Sequence, residues 1–205
     1  MRTEILRADH PTAIVHAVDV LDHGGLVAFP TDTVYGLGAH INLPDSIESL
    51  YIIKGQRHPR AVGVLLAEID QISQIAINIP QWAWTLARTF LPGALTLILP
   101  RHPNLPEQLL PLETVAVRIP AHPVALSLLR RSGPLAVTSA NLSGESTCSD
   151  AEQVLKQLHG RFHLILDGGQ ILTPQIPSTI VDCTTPEPEI LRPGPISREQ
   201  IAAAI

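Results

Sequence analysis

Gly24-Gly25-Leu26-Val27-Ala28-Phe29-Pro30-Thr31-Asp32-Thr33-Val34-Tyr35-Gly36-Leu37-Gly38 decides how this chain is read. A short apolar strand, residues 26–29, runs directly into hydroxyls, a carboxylate, a phenol and two glycines. A rigid element thus delivers polar groups to its own end, which is how small-molecule sites are commonly built. The glycines alone would suit a strand followed by an ordinary turn. Thr31, Asp32, Thr33 and Tyr35 point to a site instead, because a turn uses Gly with Asn or Asp and has no need of two threonines and a tyrosine.

The rest of the chain sets the frame around that segment. Its 205 residues, 45% of them hydrophobic, suffice for a full core, and a single domain, residues 1–205, is expected. Only 3% are aromatic, so the core must rest on Leu, Ile, Val and Ala, which suits an α/β fold with strands covered on both faces. No apolar run is long enough to cross a bilayer, and Met1-Arg2-Thr3-Glu4-Ile5 lacks the apolar stretch of a signal peptide. A cytoplasmic protein with no membrane partner is expected. Cys148 and Cys183 lie far apart and form no CxxC pair, against a disulfide framework or a cysteine zinc site. His159 and His163 are four apart, but Gly160 between them signals a helix end, so no metal site is expected. The net charge of −5 offers nucleic acid no global attraction, and any contact with tRNA has to be local.

Helical and strand patterns then alternate, the mark of an α/β fold. Asp9-His10-Pro11 can open a helix with Ile14, Val15, Val18 and Leu21 on one face, ended by Gly24-Gly25. Asp45-Ser46 can cap a second, carrying Ile47, Leu50 and Tyr51 to the basic end at Lys54. A strand is expected at 62–66, and Trp82, Leu86 and Phe90 recur at helical spacing as core packing. A further strand at 95–99 precedes Thr114-Val115-Ala116-Val117-Arg118-Ile119-Pro120. There alternation sends Val115, Val117 and Ile119 to one face and Arg118 to the other. Helices near 124–131 and 151–158, strands near 135–137 and 164–166, strand-like pieces at 178–182 and 190–194, and a short helix from Ser197 complete the pattern.

Polar clusters sit at several strand ends: around Thr33, around Ser139 and Asn141, and around Ser178. Lys54-Gly55-Gln56-Arg57-His58-Pro59-Arg60 adds three fixed cations in seven residues. Cations beside hydroxyl and amide donors match a polyphosphate. A solvated helix end would also explain the basic run alone. There is no GxxxxGK[ST] and no GxGxxG, and Ser139 and Ser143 lack the context of a nucleophile elbow.

Together these segments resemble the YrdC/Sua5 family, the threonylcarbamoyl-adenylate synthases that begin the threonylcarbamoyladenosine modification of tRNA. The resemblance rests on residues 29–37, the Lys54-centred segment, Val117-Arg118-Ile119-Pro120, Ser139-Ala140-Asn141, Ser178-Thr179-Ile180-Val181-Asp182 and Leu191-Arg192-Pro193-Gly194, in the family's order over nearly the whole chain. It implies a twisted open α/β sheet of mixed parallel and antiparallel strands, flanked by helices, around a large concave cavity. It also implies that the extra C-terminal domain of longer members is absent. The implied reaction joins L-threonine, bicarbonate or CO2, and ATP into threonylcarbamoyl-AMP and pyrophosphate, with Mg²⁺ supplied with the nucleotide. The product then goes to a downstream tRNA threonylcarbamoyl transferase.

The resemblance also implies roles. Thr33, Arg118, Ser139 and Ser178 would hold threonine, with Tyr35 lining the pocket. Lys54, Gln56, Arg57, Arg60, Thr114, Asn141, Ser149 and Arg192 would contact ATP, and the chemistry would fall to Lys54, Arg57, Ser139 and Asn141. Two positions depart from the family pattern. Gln56 stands where K-x-R has its Arg, so Arg57 must serve, and Leu65 stands where longer members place a histidine. Other readings are a YciO-like paralogue with a different substrate and a double-stranded RNA-binding module.

Overall fold

The computed structural model describes residues 2–55, 62–109, 113–172 and 176–205, and these contain ten strands and seven α-helices. In chain order the first are β1 (Glu4–Arg7), α1 (Ala13–Asp22), β2 (Val27–Pro30), β3 (Tyr35–His40), α2 (Pro44–Ile53) and β4 (Gly63–Leu65). Then come α3 (Ile72–Ile75), α4 (Gln81–Phe90), β5 (Leu95–Pro100), β6 (Thr114–Arg118), α5 (Pro123–Ser132) and β7 (Leu135–Ser139). The chain closes with α6 (Ala151–Leu158), β8 (Leu164–Asp167), β9 (Thr179–Asp182), β10 (Glu189–Arg192) and α7 (Arg198–Ala204). All ten strands join one mixed sheet in the order β1-β8-β2-β3-β7-β4-β6-β5-β9-β10. The expected class, a mixed α/β sheet with flanking helices, is the one observed.

In the opening segment the glycines serve strand packing rather than the turn. Gly36 and Gly38 are not turn residues but lie inside β3, which pairs antiparallel with β2, Phe29 opposite Gly36 and Pro30 opposite Tyr35. A Cβ on Gly36 would come 2.9 Å from Val137 Cγ1, and one on Gly38 would come 3.0 Å from the Phe29 ring. Both glycines therefore give room to side chains of the neighbouring strands. The turn itself, residues 31–34, is shaped by a threonine. Thr31 Oγ1 donates to the Val34 carbonyl at 2.7 Å and accepts from the Thr33 and Val34 amides at 3.2 Å each. A hydroxyl thus shapes the turn, with no glycine in it.

The two faces of the sheet are covered unequally. On one, Ile47 and Leu50 of α2, Leu86 of α4, Val154 of α6 and Ile201 of α7 pack with Leu37, Val64, Leu97 and Val117 in one apolar cluster. On the other, Ala13, Ala17 and Leu21 of α1 and Ala125, Leu128 and Leu129 of α5 pack on Val27, Phe29, Leu135 and Leu164. The buried stripe of α1 is therefore Ala13-Ala17-Leu21, while Val15 is 55% exposed. Alanines at that spacing let the helix lie close to the sheet, which a count of large apolar residues overlooks. Strands β7, β4, β6, β5 and β9 send side chains on this second face into a hollow that, among the described residues, no helix lines.

Candidate functional site

Alternation in β6 buries Val115 and Val117 and turns Ala116 and Arg118 toward the hollow. The same parity brings Gly63 and Leu65 of β4, Thr96 and Ile98 of β5, and Val137 and Ser139 of β7 around it, with Ser178 just ahead of β9. The cavity measures about 320 Å³, in the range of small-molecule sites. A more open groove of about 610 Å³ at the sheet edge, by Arg2, Glu4 and His159, has no such convergence of strand-end polar groups.

Arg118 is held at three points. Its Nε donates to the Gly93 carbonyl at 3.0 Å, Nη1 to Thr33 Oγ1 at 2.9 Å and Nη2 to Asp32 Oδ1 at 2.7 Å. Asp32 Oδ1 also accepts from the Ala121 amide at 3.1 Å, tying the β2–β3 turn to the residues between β6 and α5. Burial pulls the guanidinium pKa below its ordinary value while Asp32 pushes the other way. An arginine remains a cation under such a shift. Two of its five N–H groups are left for a ligand.

Arg192 enters from β10. Its Nε and Nη2 donate to the Ser178 carbonyl at 3.1 and 2.8 Å, and Nη2 also reaches Ser178 Oγ at 3.1 Å. The nearby Gly194 explains the glycine of the Arg-Pro-Gly run. A Cβ there would stand 2.6 Å from the Pro177 carbonyl oxygen and would strike the Thr179 amide nitrogen, pushing Ser178 away from Arg192. Burial and then the charge of Arg118 lower the Arg192 pKa. Among the described residues no carboxylate pairs with Arg192, whereas Asp32 pairs with Arg118. The hollow therefore carries surplus positive charge and suits an anion.

Lys54 closes α2 and is buried behind Ser139. Its Nζ donates to the Ser139 carbonyl at 2.6 Å and to Ser139 Oγ at 3.2 Å. The structure thus brings Thr33, Arg118, Ser139, Ser178 and Arg192 onto one cavity, with Lys54 in contact with its wall. Leu65 also lines it, next to Arg118 in the β4–β6 ladder. Gln56, Arg57 and Arg60 lie outside the described residues.

Four other expected residues do not line the cavity. Tyr35 is fully buried in the core of the opposite face. Its hydroxyl donates to the Gly169 carbonyl at 2.8 Å and accepts from the Gly168 amide at 3.2 Å, and burial pushes its pKa up to about 12. Alternation in β3 requires this, because Gly36 beside it faces the cavity. Thr114 starts β6 opposite Pro100, beyond the cavity wall that Ala116 ends. Ser149 is 1% exposed and accepts from Gln153 Nε2 at 3.0 Å, bracing the start of α6. Asn141 is buried, and its Nδ2 donates to the Leu142 and Glu145 carbonyls at 2.8 and 2.9 Å, holding its loop closed.

Sequence reasoning missed Thr96 and passed over Asp32 as a site residue. The alternation of β5, with Leu95, Leu97 and Leu99 buried, would have singled out Thr96. Asp32 stands in the polar cluster after the first strand, but nothing local gives its role, because its partner Arg118 is 86 positions away. Among the described residues no group of three or more His, Cys, Asp or Glu is placed to hold a metal ion. Nor is any helix among them long and apolar enough to cross a membrane.

Comparison with known proteins agrees with this layout. Residues 19–194 match the Sua5/YciO/YrdC family model, described as telomere recombination. The chain is 43% identical to the threonylcarbamoyl-AMP synthase of Bacillus subtilis, over 99% of this chain and 59% of that protein. It superposes on P. abyssi Sua5 complexed with L-threonine with a TM-score of 0.94 at 36% identity, covering 99% of this chain and 61% of that one. E. coli YciO gives a TM-score of 0.84 at 28% identity, with 94% and 96% covered. The chain thus spans about three fifths of the first two proteins and nearly all of the third. Since the family match runs from α1 through the Arg192–Gly194 segment that seats Ser178, the chain belongs to the Sua5/YciO/YrdC family.

Proposed function

We propose that this chain is a threonylcarbamoyl-AMP synthase. It would join L-threonine, CO2 or bicarbonate, and ATP, releasing pyrophosphate. The observation that carries this reading is the convergence of Arg118 and Arg192 with the hydroxyls of Thr33, Ser139 and Ser178 on one cavity of about 320 Å³. The threonine-bound P. abyssi Sua5 and the Bacillus synthase support the choice of substrate.

The chemistry needs position and charge rather than a covalent intermediate. The threonine amine forms a bond to the carbon of CO2 and loses a proton, leaving a carbamate. A carbamate oxygen then bonds to the α-phosphorus of ATP as the bond to pyrophosphate breaks. In this reading Arg118 holds the threonine carboxylate, with Thr33, Ser139 and Ser178 fixing the amino acid around it. Lys54, Gln56, Arg57 and Arg60 would contact the phosphates, Arg192 would add charge toward the nucleotide, and Asn141 would act through the loop it closes. Mg²⁺ would enter as counter-ion of the nucleotide. The adenylate passes to a tRNA-modifying transferase in the cytoplasm.

The test is pyrophosphate release with ATP, bicarbonate and a panel of amino acids. Release that depends on threonine supports the proposal. No release, or release with a different amino acid only, overturns it, the latter in favour of a paralogue of YciO type.

A further inference from the structure

Thr96 Oγ1 and Ser178 Oγ lie 2.7 Å apart, and Arg192 Nη2 donates to that same Ser178 oxygen at 3.1 Å. Both residues line the cavity. Each hydroxyl owns one proton and can accept at two lone pairs. Their mutual bond consumes one of the two protons whichever residue supplies it. The arginine contributes its own proton, so one hydroxyl proton of the pair is always left over. Since β5 and β6 pair Leu97 with Val117 antiparallel, the next position along sets Thr96 beside Arg118 on the cavity face. The spare donor thus stands on the same cavity wall as two guanidiniums, where an anionic oxygen is stabilised. Donation from an uncompensated cation into Ser178 also polarises the pair, making it a stronger donor.

We propose that Thr96 is a ligand-binding residue for the amino-acid substrate: with Ser178 and Arg192 it forms a relay that delivers one hydroxyl proton to the carboxylate held by Arg118. This rests on the synthase reading of the cavity. Thr96→Val keeps the branched shape that a strand favours and deletes the hydroxyl. It also leaves Ser178 free to turn its own proton away from the ligand.

The test measures L-threonine binding by calorimetry, together with KM and kcat for threonine and KM for ATP, in wild type, Thr96→Val and Thr96→Ser. A donor to a charged acceptor predicts that Thr96→Val weakens threonine binding by about tenfold or more. The KM for threonine rises in step, that for ATP is unchanged, and Thr96→Ser restores most of the affinity. Equal threonine affinity in wild type and Thr96→Val overturns the relay and leaves the synthase reading standing. Parallel losses in Thr96→Val and Thr96→Ser overturn it too, since they would mark a packing effect. A wild-type protein that binds no threonine removes the synthase reading, and the relay with it.

Discussion

The ammonium of Lys54, at the end of α2, touches both the carbonyl oxygen and the hydroxyl of Ser139, the last residue of β7, at 2.6 and 3.2 Å. Eighty-five positions apart in sequence, the two form one unit at the cavity wall. Lys54→Met keeps the aliphatic stem and removes the cation. Loss of a preorganised charge on transferring phosphates predicts a fall in kcat of about 10²–10³-fold, measured as pyrophosphate release. The Ser139 carbonyl keeps its bond from the Asn141 amide, and loss of the charged donor should cost about 1.5–3 kcal/mol in chemical denaturation. Sequence reasoning alone would leave stability untouched, and the burial of Lys54 is what changes that expectation.

In the synthase reading Asp32 bears on the substrate through Arg118. Asp32→Asn preserves shape but removes the charge opposite the guanidinium, and threonine KM should rise well ahead of any change in ATP KM. Asp32→Ala strips a mostly buried cation of its partner, and stability should drop by about 3–5 kcal/mol in urea unfolding. Equal threonine KM in wild type and Asp32→Asn would remove Asp32 from this role.

Cavity volume depends on a missing side chain. A Cβ on Gly63 would make only ordinary contacts, 3.6 Å to the Ala116 carbonyl oxygen, so Gly63→Val fits the strand while its methyls enter the hollow. Its melting temperature should match wild type and its threonine affinity should collapse. Gly194→Ala predicts the reverse order of cause, with the 177–179 backbone displaced first and binding lost as a consequence.

His122 precedes α5, and its buried Nδ1 has no hydrogen-bond partner among the described residues. Burial lowers its pKa from 6.5, with Asp32 opposing. The unfolded chain therefore takes up the proton at higher pH than the native one. The contribution to stability is complete above about pH 6.5 and declines as pH falls below it, until the native residue also titrates. His122→Gln should lose less stability than wild type between about pH 7 and pH 5, read as the difference between their melting curves.

Both cysteines are buried, and desolvation pushes Cys148 up to about 11 and Cys183 up to about 12. Thiolate is the reactive form. Neither thiol should react with a disulfide reagent near pH 8 in the native protein, and both should react in denaturant. Rapid native labelling of either one would contradict their placement.

Much of the secondary structure and part of the site were legible in the residues themselves. The period-two alternation at 114–118 gave the facing of Arg118, and α5 and α6 lie within a residue or two of their periodic segments. Backbone geometry imposes such repeats on any short window, so a window suffices to detect them. The polar strand ends at Thr33, Ser139 and Ser178 were visible for the same reason. What folding alone decided was partnership across the sheet. β3 lies between β2 and β7, and β5 between β6 and β9, and these neighbours set Thr96 against Ser178 and turn Tyr35 into the core. Strand order arises from long-range pairing and from which faces the helices cover, and no local stretch of sequence carries that information.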